Sequence, residues 1–134
     1  MPHYCIGKLS TALNQVSLPV RGTRIALLGL SYKPNVGDLR ESPCLEIEKL
    51  LLAMGADLIV YDPFVDRGAQ SLEEALRGAQ ALVLATAHQE IIEKLPVLLT
   101  KNKTVKVVVD GRNALDKEAI QKNNIIYTGI GRGL

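Results

Sequence analysis

Aromatic residues are scarce in this sequence, which has no tryptophan, one phenylalanine and four tyrosines among 134 residues. Proteins that hold single-stranded nucleic acid stack the bases on aromatic side chains, so the composition argues against that class of function. The 16 basic and 14 acidic residues give a net charge of +2 and are scattered, whereas a dedicated nucleic-acid-binding domain carries a basic patch. No apolar run approaches the roughly 18 residues that a membrane-spanning helix requires.

Cysteine and histidine are also rare. Cys5 and Cys44 lie far apart without Cys-x-x-Cys spacing, which predicts two free thiols in a reducing compartment. Cys44 follows a predicted helix start, where a helix dipole can activate a thiol. No histidine lies near it in the sequence, so a buried structural thiol is the preferred interpretation. We expect the isolated His3 and His88 to be surface or loop residues and not metal ligands, and the protein to be cytoplasmic because no signal peptide is recognisable.

Apolar residues make up 47% of the chain and follow two alternating patterns. Apolar runs predict strands at residues 25–30, at 57–63 including the exit of the strand, at 81–86 and at 105–110, and a strand or strand-like tail at 124–131. Apolar residues at helical spacing, together with capping residues, predict helices at 2–16, at 43–54, from 71 onward, at 89–99 with an interruption at Pro96, and at 116–121. The alternation predicts a Rossmann-like, doubly wound α/β fold, with a five-stranded, mostly parallel sheet and helices on both faces.

Two further expectations about the architecture follow from these patterns. Residues 1–20 form an N-terminal helix and linker, and residues 21–134 form the α/β domain. Right-handed crossovers leave few topologies for such a sheet, and the simplest strand order is 3-2-1-4-5.

The segment Gly-Leu-Ser-Tyr-Lys-Pro-Asn-Val-Gly-Asp-Leu-Arg-Glu-Ser-Pro, residues 29–43, is long for a link between a strand and a helix. Open α/β sheets bind ligands at the carboxyl ends of their strands, where this loop lies. Its two cations, Lys33 and Arg40, precede a helix N-terminus and favour an anionic ligand, most simply a phosphate. Arg40 has a competing interpretation, in which it pairs with Asp38 or Glu41 and only pins the loop.

A second candidate lies after the fourth strand, in Asp-Gly-Arg-Asn at residues 110–113. Gly111 permits a sharp turn, after which the planar fork of Arg112 can bind a phosphate. An ordinary turn with a solvated arginine is the alternative. With Lys33 at the exit of another strand of the same sheet, we favour the phosphate interpretation.

Asp62 stands where dinucleotide-binding folds place an acid for the ribose hydroxyls. The first turn, however, lacks Gly-x-Gly-x-x-Gly, because Gly29 is the only glycine before the long loop. A standard NAD site on this sheet is therefore not expected, and Asp62 is interpreted as a residue that ends its strand and braces the turn. The sequence contains no convincing catalytic set: no Ser-His-Asp ordering, no zinc spacing and no carboxylate pair.

The segment at 29–43 closely resembles the signature that opens the C-terminal domain of the UDP-glucose/GDP-mannose dehydrogenase family. Tyr-Asp-Pro at 61–63 and Asp-Gly-Arg-Asn at 110–113 resemble further landmarks of that family, in the right order. The closing Tyr-Thr-Gly-Ile-Gly-Arg at 127–132 looks like the UDP-N-acetylmannosamine or N-acetylglucosamine dehydrogenase branch. The resemblance covers essentially the whole chain, and residues 1–20 resemble the end of the family's central helical region.

The resemblance implies a four-electron oxidation of a sugar C6 alcohol to a carboxylate, with two NAD+ and a cysteine-bound thiohemiacetal and thioester. It implies that Tyr32, Lys33 and Arg112 contact the UDP-sugar and that Arg40 reaches NAD held by an N-terminal domain. It also implies a homodimer or higher oligomer of the full-length enzyme.

The catalytic-cysteine motif and the NAD-binding glycine motif of the family are absent from this sequence. We therefore assign no catalytic residue and expect the chain to be an inactive part of a longer enzyme. Two alternatives are a stand-alone nucleotide-binding or regulatory module and a structural domain whose cations bind nothing.

Overall fold

Strands and helices alternate along the described part of the chain, which is residues 2–31, 33–40 and 42–129 of a computed structural model. The strands are β1 (Arg24–Leu28), β2 (Asp57–Tyr61), β3 (Ala81–Leu84), β4 (Val107–Asp110) and β5 (Ile126–Gly129). The helices are α1 (Pro2–Gln15), α2 (Pro43–Ala53), α3 (Leu72–Leu76), α4 (Gln89–Lys101) and α5 (Lys117–Gln121). The Rossmann-like α/β fold with a leading helix is confirmed.

The five strands form one parallel sheet in the order β2-β1-β3-β4-β5. The expected order 3-2-1-4-5 is wrong, because β3 lies between β1 and β4. Helix α3 packs on the same face as α4 and α5, and α2 packs on the opposite face. A right-handed crossover through α3 must therefore carry the chain past β1 to its other side.

The burial of β2 and β3 agrees with this order. All four residues of β3 are buried, as in a central strand, whereas β2 begins with the exposed Asp57 and is only partly buried over its first half. Each face of the sheet carries its own core. Ala26 and Leu28 face α3, α4 and α5, and Ile25 and Leu27 face α1 and α2.

Most helix boundaries follow local capping rules. Ser42 caps α2, Pro43 occupies its first turn and Gly55 follows it with φ of 84°. Ser71 accepts a hydrogen bond from the amide of Glu74 at the start of α3. The expected interruption of α4 is wrong, because the helix continues through Pro96, and its buried residues Ile91, Leu95 and Leu99 anchor it to the core on both sides of the proline.

Within the described ranges, no helix combines the length and apolar character that crossing a membrane requires.

Gly29 shows how closely the end of β1 packs against the loop after β3. Its φ is 98°, and a Cβ at this position would lie 2.6 Å from the Thr86 backbone nitrogen. We predict that Gly29→Ala lowers the free energy of unfolding by roughly 2–5 kcal/mol, because left-handed strain and a backbone clash add. Gly78→Ala is the matched control. Its φ is 73° with no atom within 4 Å of the added Cβ, so urea unfolding should show a loss of only about 1–2 kcal/mol.

Candidate functional site

The carboxyl ends of neighbouring strands are level with one another. Leu28 of β1 pairs with Tyr61 of β2 and with Leu84 of β3, and Leu84 pairs with Asp110 of β4. The loops that follow these strands therefore leave the sheet side by side, as the sequence predicted. Because α2 and α4 lie on opposite faces, the chain leaves β1 and β3 towards opposite faces of the sheet, which is the switch point near which doubly wound sheets bind ligands.

Asp62, directly after β2, is the centre of the hydrogen bonding at this edge. Its Oδ2 accepts from the backbone amides of Leu30 (2.8 Å) and Ser31 (3.0 Å), from the Ser31 hydroxyl (2.8 Å) and from His88 Nε2 (2.8 Å). Its Oδ1 accepts from the Phe64 amide at 2.8 Å. The side chain is buried, and these partners occupy both oxygens, so Asp62 braces two loops and is not free to bind a ribose.

Two opposing effects act on the pKa of Asp62. Burial alone raises the pKa of a carboxyl group. The hydrogen bonds from His88, Leu30, Phe64 and Ser31 stabilise the charged form and outweigh burial, so the pKa of Asp62 lies well below its usual range. The carboxylate is therefore ionised in the folded protein at neutral pH.

His88 lies in the loop before α4, one of the two expected locations, but it is fully buried and not at the surface. Its Nδ1 accepts the backbone N–H of Asn35 at 2.7 Å, and its Nε2 lies 2.8 Å from Asp62 Oδ2. A backbone amide can only donate, so Nδ1 carries no proton and the ring is neutral with its proton on Nε2. The Phe64 ring lies against the imidazole, with 5.1 Å between the ring centroids.

Asn35 connects the long loop to helix α4. Its side-chain oxygen accepts the amide of Gln89, the first residue of α4, at 2.9 Å. The residue at the N-cap of α4, His88, makes no side-chain capping bond, so the loop supplies the cap. Asn35 has φ of 63°, a left-handed conformation that asparagine tolerates better than most residues.

Lys33 and Arg40 project from the same loop with different partners. Arg40 forms a bidentate pair with Asp38, with both N–O distances 3.1 Å, although its side chain is 89% exposed. The hydrogen bonds from Arg40 hold the pKa of Asp38 below its usual value. Lys33 is exposed and forms no ion pair within the part of the chain that the structure describes. The alternative pairing with Glu41 lies outside the described residues.

The start of α2 is closed by its own cap. Ser42 Oγ accepts the amide of Cys44 at 3.2 Å and donates to the Leu30 carbonyl at 2.6 Å. Pro43, the first helical residue, has no N–H. The thiol of Cys44 is buried against the Ala85 carbonyl, 3.4 Å away, which agrees with a structural cysteine. An anion at this end of the sheet is therefore expected to bind side-chain cations more than helix amides.

Arg112 reaches from the β4 exit towards the loop after β3. Its Nε donates to the Ala85 carbonyl at 2.9 Å, and its backbone amide donates to Asp110 at 3.1 Å. Neither Nη group forms a hydrogen bond within the described residues. Arg112 also lines a small cavity of about 40 Å³ together with Pro43 and Cys44 at the start of α2. The guanidinium thus lies near the end of the long loop.

The turn that carries Arg112 is fixed by Asp110 and Gly111. Asp110 is fully buried and accepts from the Leu115 amide at 2.8 Å and from the Tyr127 hydroxyl at 2.7 Å. A Cβ on Gly111 would lie 2.8 Å from the Leu84 carbonyl oxygen, so only glycine fits. The arginine therefore leaves a rigid corner of the sheet.

Some expectations concern residues outside the described ranges. These are Tyr32, proposed beside Lys33, and the last residues, 130–132, of the segment used to suggest a branch. Among the described residues, no group of three or more His, Cys, Asp or Glu side chains could hold a metal ion.

No role was expected for Asn35, and His88 was expected only to lie among the polar residues after the third strand. One signal was available for each. Histidine is not among the residues that favour a helix N-cap, so His88 before α4 implies a cap from elsewhere. Asn35 sits in a turn-rich Pro-Asn-Val-Gly segment, where asparagine often takes the left-handed conformation.

We predict that Asp62→Asn lowers the free energy of unfolding by about 2–4 kcal/mol at pH 7, because the buried donors around position 62 lose the charged carboxylate to which they donate. The Asp62 pKa is lowered in the folded state, so its contribution is present above the unfolded value of about 3.9 and is lost as pH falls through the folded value. The wild type should therefore lose more stability than the variant between pH 6 and pH 3. Asp57→Asn, at an exposed ion pair, is the control and should change stability by less than about 1 kcal/mol.

Comparison with known proteins gives concordant matches. Residues 26–117 match the model of the UDP binding domain of the UDP-glucose/GDP-mannose dehydrogenase family. A UDP-N-acetyl-D-mannosamine dehydrogenase of Pyrococcus horikoshii is 34% identical over 99% of this chain and 31% of its own length. The UDP-glucose 6-dehydrogenase TuaD of Bacillus subtilis is 32% identical over 96% of this chain and 30% of its own length.

Solved structures show the same relationship. The structure of UDP-D-ManNAc dehydrogenase from Pyrococcus horikoshii superimposes with a TM-score of 0.89 at 34% identity, over 98% of this chain and 31% of that one. An NDP-N-acetyl-D-galactosaminuronic acid dehydrogenase from Methanosarcina mazei gives a TM-score of 0.90 at 27% identity, over 98% of this chain and 29% of that one. The chain thus spans about a third of the length of these relatives, and it belongs to the UDP-glucose/GDP-mannose dehydrogenase family, as its UDP binding domain.

Proposed function

We propose that this chain binds the UDP part of a nucleotide sugar at the carboxyl edge of the sheet, between the long loop after β1 and the turn after β4. The observation that carries the proposal is the pair of cations Lys33 and Arg112, which leave level strand exits and form no ion pair within the described residues. A diphosphate is the part of a UDP-sugar whose charge such a pair complements.

Of the two cations, Arg112 has the side chain whose orientation is already fixed for binding a phosphate. The Ala85 carbonyl holds its Nε, and the Asp110–Gly111 corner fixes its backbone, so both Nη groups remain to donate to phosphate oxygens. A guanidinium whose orientation is already fixed loses less conformational entropy when it binds. Arg112 is therefore assigned to the diphosphate.

Lys33 and the neighbouring Tyr32 are assigned to the same ligand from the side of the long loop. Asp38, the carboxylate in the described part of the same loop, is occupied by Arg40. The Lys33 ammonium forms no ion pair with Asp38 and acts on it only through its charge, so its N–H donors remain for an anionic ligand.

NAD does not fit this sheet in the usual way. The β1 turn contains Gly29 but no glycine-rich phosphate loop, and the oxygens of Asp62 are occupied by protein donors. Arg40 is the residue that we assign to contact NAD held by another part of the enzyme. It lies at the surface, and its pair with Asp38 is exposed and therefore weak enough to exchange for a phosphate.

The longer enzyme, in this proposal, is an NAD-dependent UDP-sugar 6-dehydrogenase that oxidises the C6 alcohol to a carboxylate, with NAD+ accepting the hydride. Relatives named for N-acetylmannosamine and for glucose match at 34% and 32% identity, so UDP is the part of the ligand that we assign to this chain. The remaining domains would supply the catalytic cysteine and complete a homodimer or larger oligomer. Cys5 and Cys44 are free and buried, as expected for a cytoplasmic protein.

We predict that UDP binds the isolated chain and that raising the salt concentration weakens the binding, because phosphate recognition by surface cations is screened. Arg112→Ala should weaken UDP binding at least about tenfold, since a charge-assisted, bidentate contact is lost. Isothermal titration calorimetry at two salt concentrations measures both effects.

Two control variants separate charge from geometry and from general effects. Arg112→Lys keeps the charge without the planar fork and should bind with intermediate affinity. Lys94→Ala removes a cation that pairs with Glu90 on α4 and should bind UDP like the wild type. Unchanged affinity in Arg112→Ala and Lys33→Ala would remove both residues from the site, and a wild-type chain that does not bind UDP would instead support a structural domain.

We also predict that the chain alone, given a UDP-sugar and NAD+, produces no NADH. Cys5 and Cys44 are 3% and 1% exposed, and burial raises the pKa of the Cys5 thiol, so neither is placed to attack a sugar carbonyl. Measurement of NADH absorbance checks this, and turnover by the isolated chain would overturn the assignment of no catalytic residue.

A further inference from the structure

We propose that His88 is a positioning residue for the nucleotide site. It accepts one hydrogen bond, from the Asn35 amide, and this bond fixes the loop that carries Lys33 and Arg40. The inference rests on the proposed function, since it concerns the affinity of that same site. In this proposal His88 is buried and does not contact the ligand itself. It controls the conformation of the loop that contacts the ligand.

The loop needs an anchor because packing holds it weakly. Residues 33–37 are all exposed. Asn35 holds this stretch against the rest of the domain with two hydrogen bonds. The Asn35 amide donates to His88 Nδ1, and the Asn35 side-chain oxygen accepts from the Gln89 amide. An exposed segment without such anchors samples many conformations, and a ligand must offset that entropy when it binds.

His88 can serve as the anchor because Asp62 fixes its orientation and tautomer. The carboxylate accepts from Nε2, so the proton stays there and the Nδ1 lone pair faces the Asn35 amide. The same carboxylate accepts the amides of Leu30 and Ser31, the second and third residues after β1. One imidazole–carboxylate pair therefore holds both the root and the middle of the loop.

Contacts on the other side of the loop restrict it further. A Cβ on Gly37 would lie 2.4 Å from the Phe64 carbonyl oxygen, so the loop backbone lies directly against this turn. Phe64 in turn contacts the His88 ring and donates its amide to Asp62. Lys33 lies two residues before Asn35, which places its backbone under direct control of the His88 contact. Arg112 is anchored separately by Ala85 and does not depend on it.

Two substitutions of His88 separate its two hydrogen bonds. An asparagine places an acceptor near the position of Nδ1 and preserves the bond from Asn35, but it loses the bond to Asp62. A glutamine places a donor near the position of Nε2 and preserves the bond to Asp62, but it loses the bond from Asn35. Both substitutions disturb the same buried site, so their effects on stability should be similar.

We expect His88→Gln to weaken UDP binding by about tenfold and His88→Asn to bind within about threefold of the wild type, as measured by calorimetry. Gly78→Ala, which introduces backbone strain before β3, is the control for lost stability and should leave UDP affinity unchanged. Equal loss of affinity in both His88 variants, or loss in Gly78→Ala that follows stability, would overturn the proposal.

A ligand-free measurement separates this inference from the proposed function. In 15N NMR of the free wild-type chain, a coupling across the hydrogen bond should join the Asn35 amide nitrogen and His88 Nδ1. Amide relaxation should show residues 33–37 ordered in the wild type and in His88→Asn, but mobile in His88→Gln. If UDP fails to bind the wild type, the proposed function falls, and these relaxation data still decide whether His88 holds the loop. A loop equally ordered in all three proteins would refute that role.

Discussion

The ionised carboxylate of Asp62 is the constraint on which the carboxyl edge of this domain depends. It joins the exits of β1, β2 and β3 by accepting from Leu30, Ser31, Phe64 and His88. A buried carboxylate is stable only where donors surround it, and here those donors belong to loops that would otherwise be independent. The hydrogen bonds that keep Asp62 ionised thereby determine where the neighbouring loops run.

The cations of the site use this frame in different ways. Arg112 leaves a corner fixed by Asp110 and Gly111 and is oriented by a carbonyl of the sheet's own exit loop. Lys33 is carried by an exposed loop that is hydrogen-bonded, through Asn35, to His88 and Gln89 at the start of α4. The site thus combines one cation fixed by the sheet with one placed by a tethered segment, while the start of α2 satisfies its own amides.

Features governed by near neighbours in the sequence could be predicted. The caps of α2 and α3 followed from Ser42 and Ser71, because capping acts within a few residues. The strand order could not, since it depends on the face against which α3 packs. The burial of His88 could not be predicted either, because its partners Asp62 and Asn35 lie 26 and 53 residues away in the sequence. Lys33 and Arg112 were recognised as candidates because charge is visible without the fold.

The cap that Asn35 provides to α4 has a consequence for the whole domain. One amide side chain completes the first turn of a helix and also sits in the loop assigned to the nucleotide. Events at the two places are therefore thermodynamically linked: whatever orders the loop also protects the helix end from fraying, and fraying of the helix end penalises the ordered loop by an equal free energy. The order of the loop is thus coupled to the stability of the first turn of α4, which packs on the face of the sheet opposite α2.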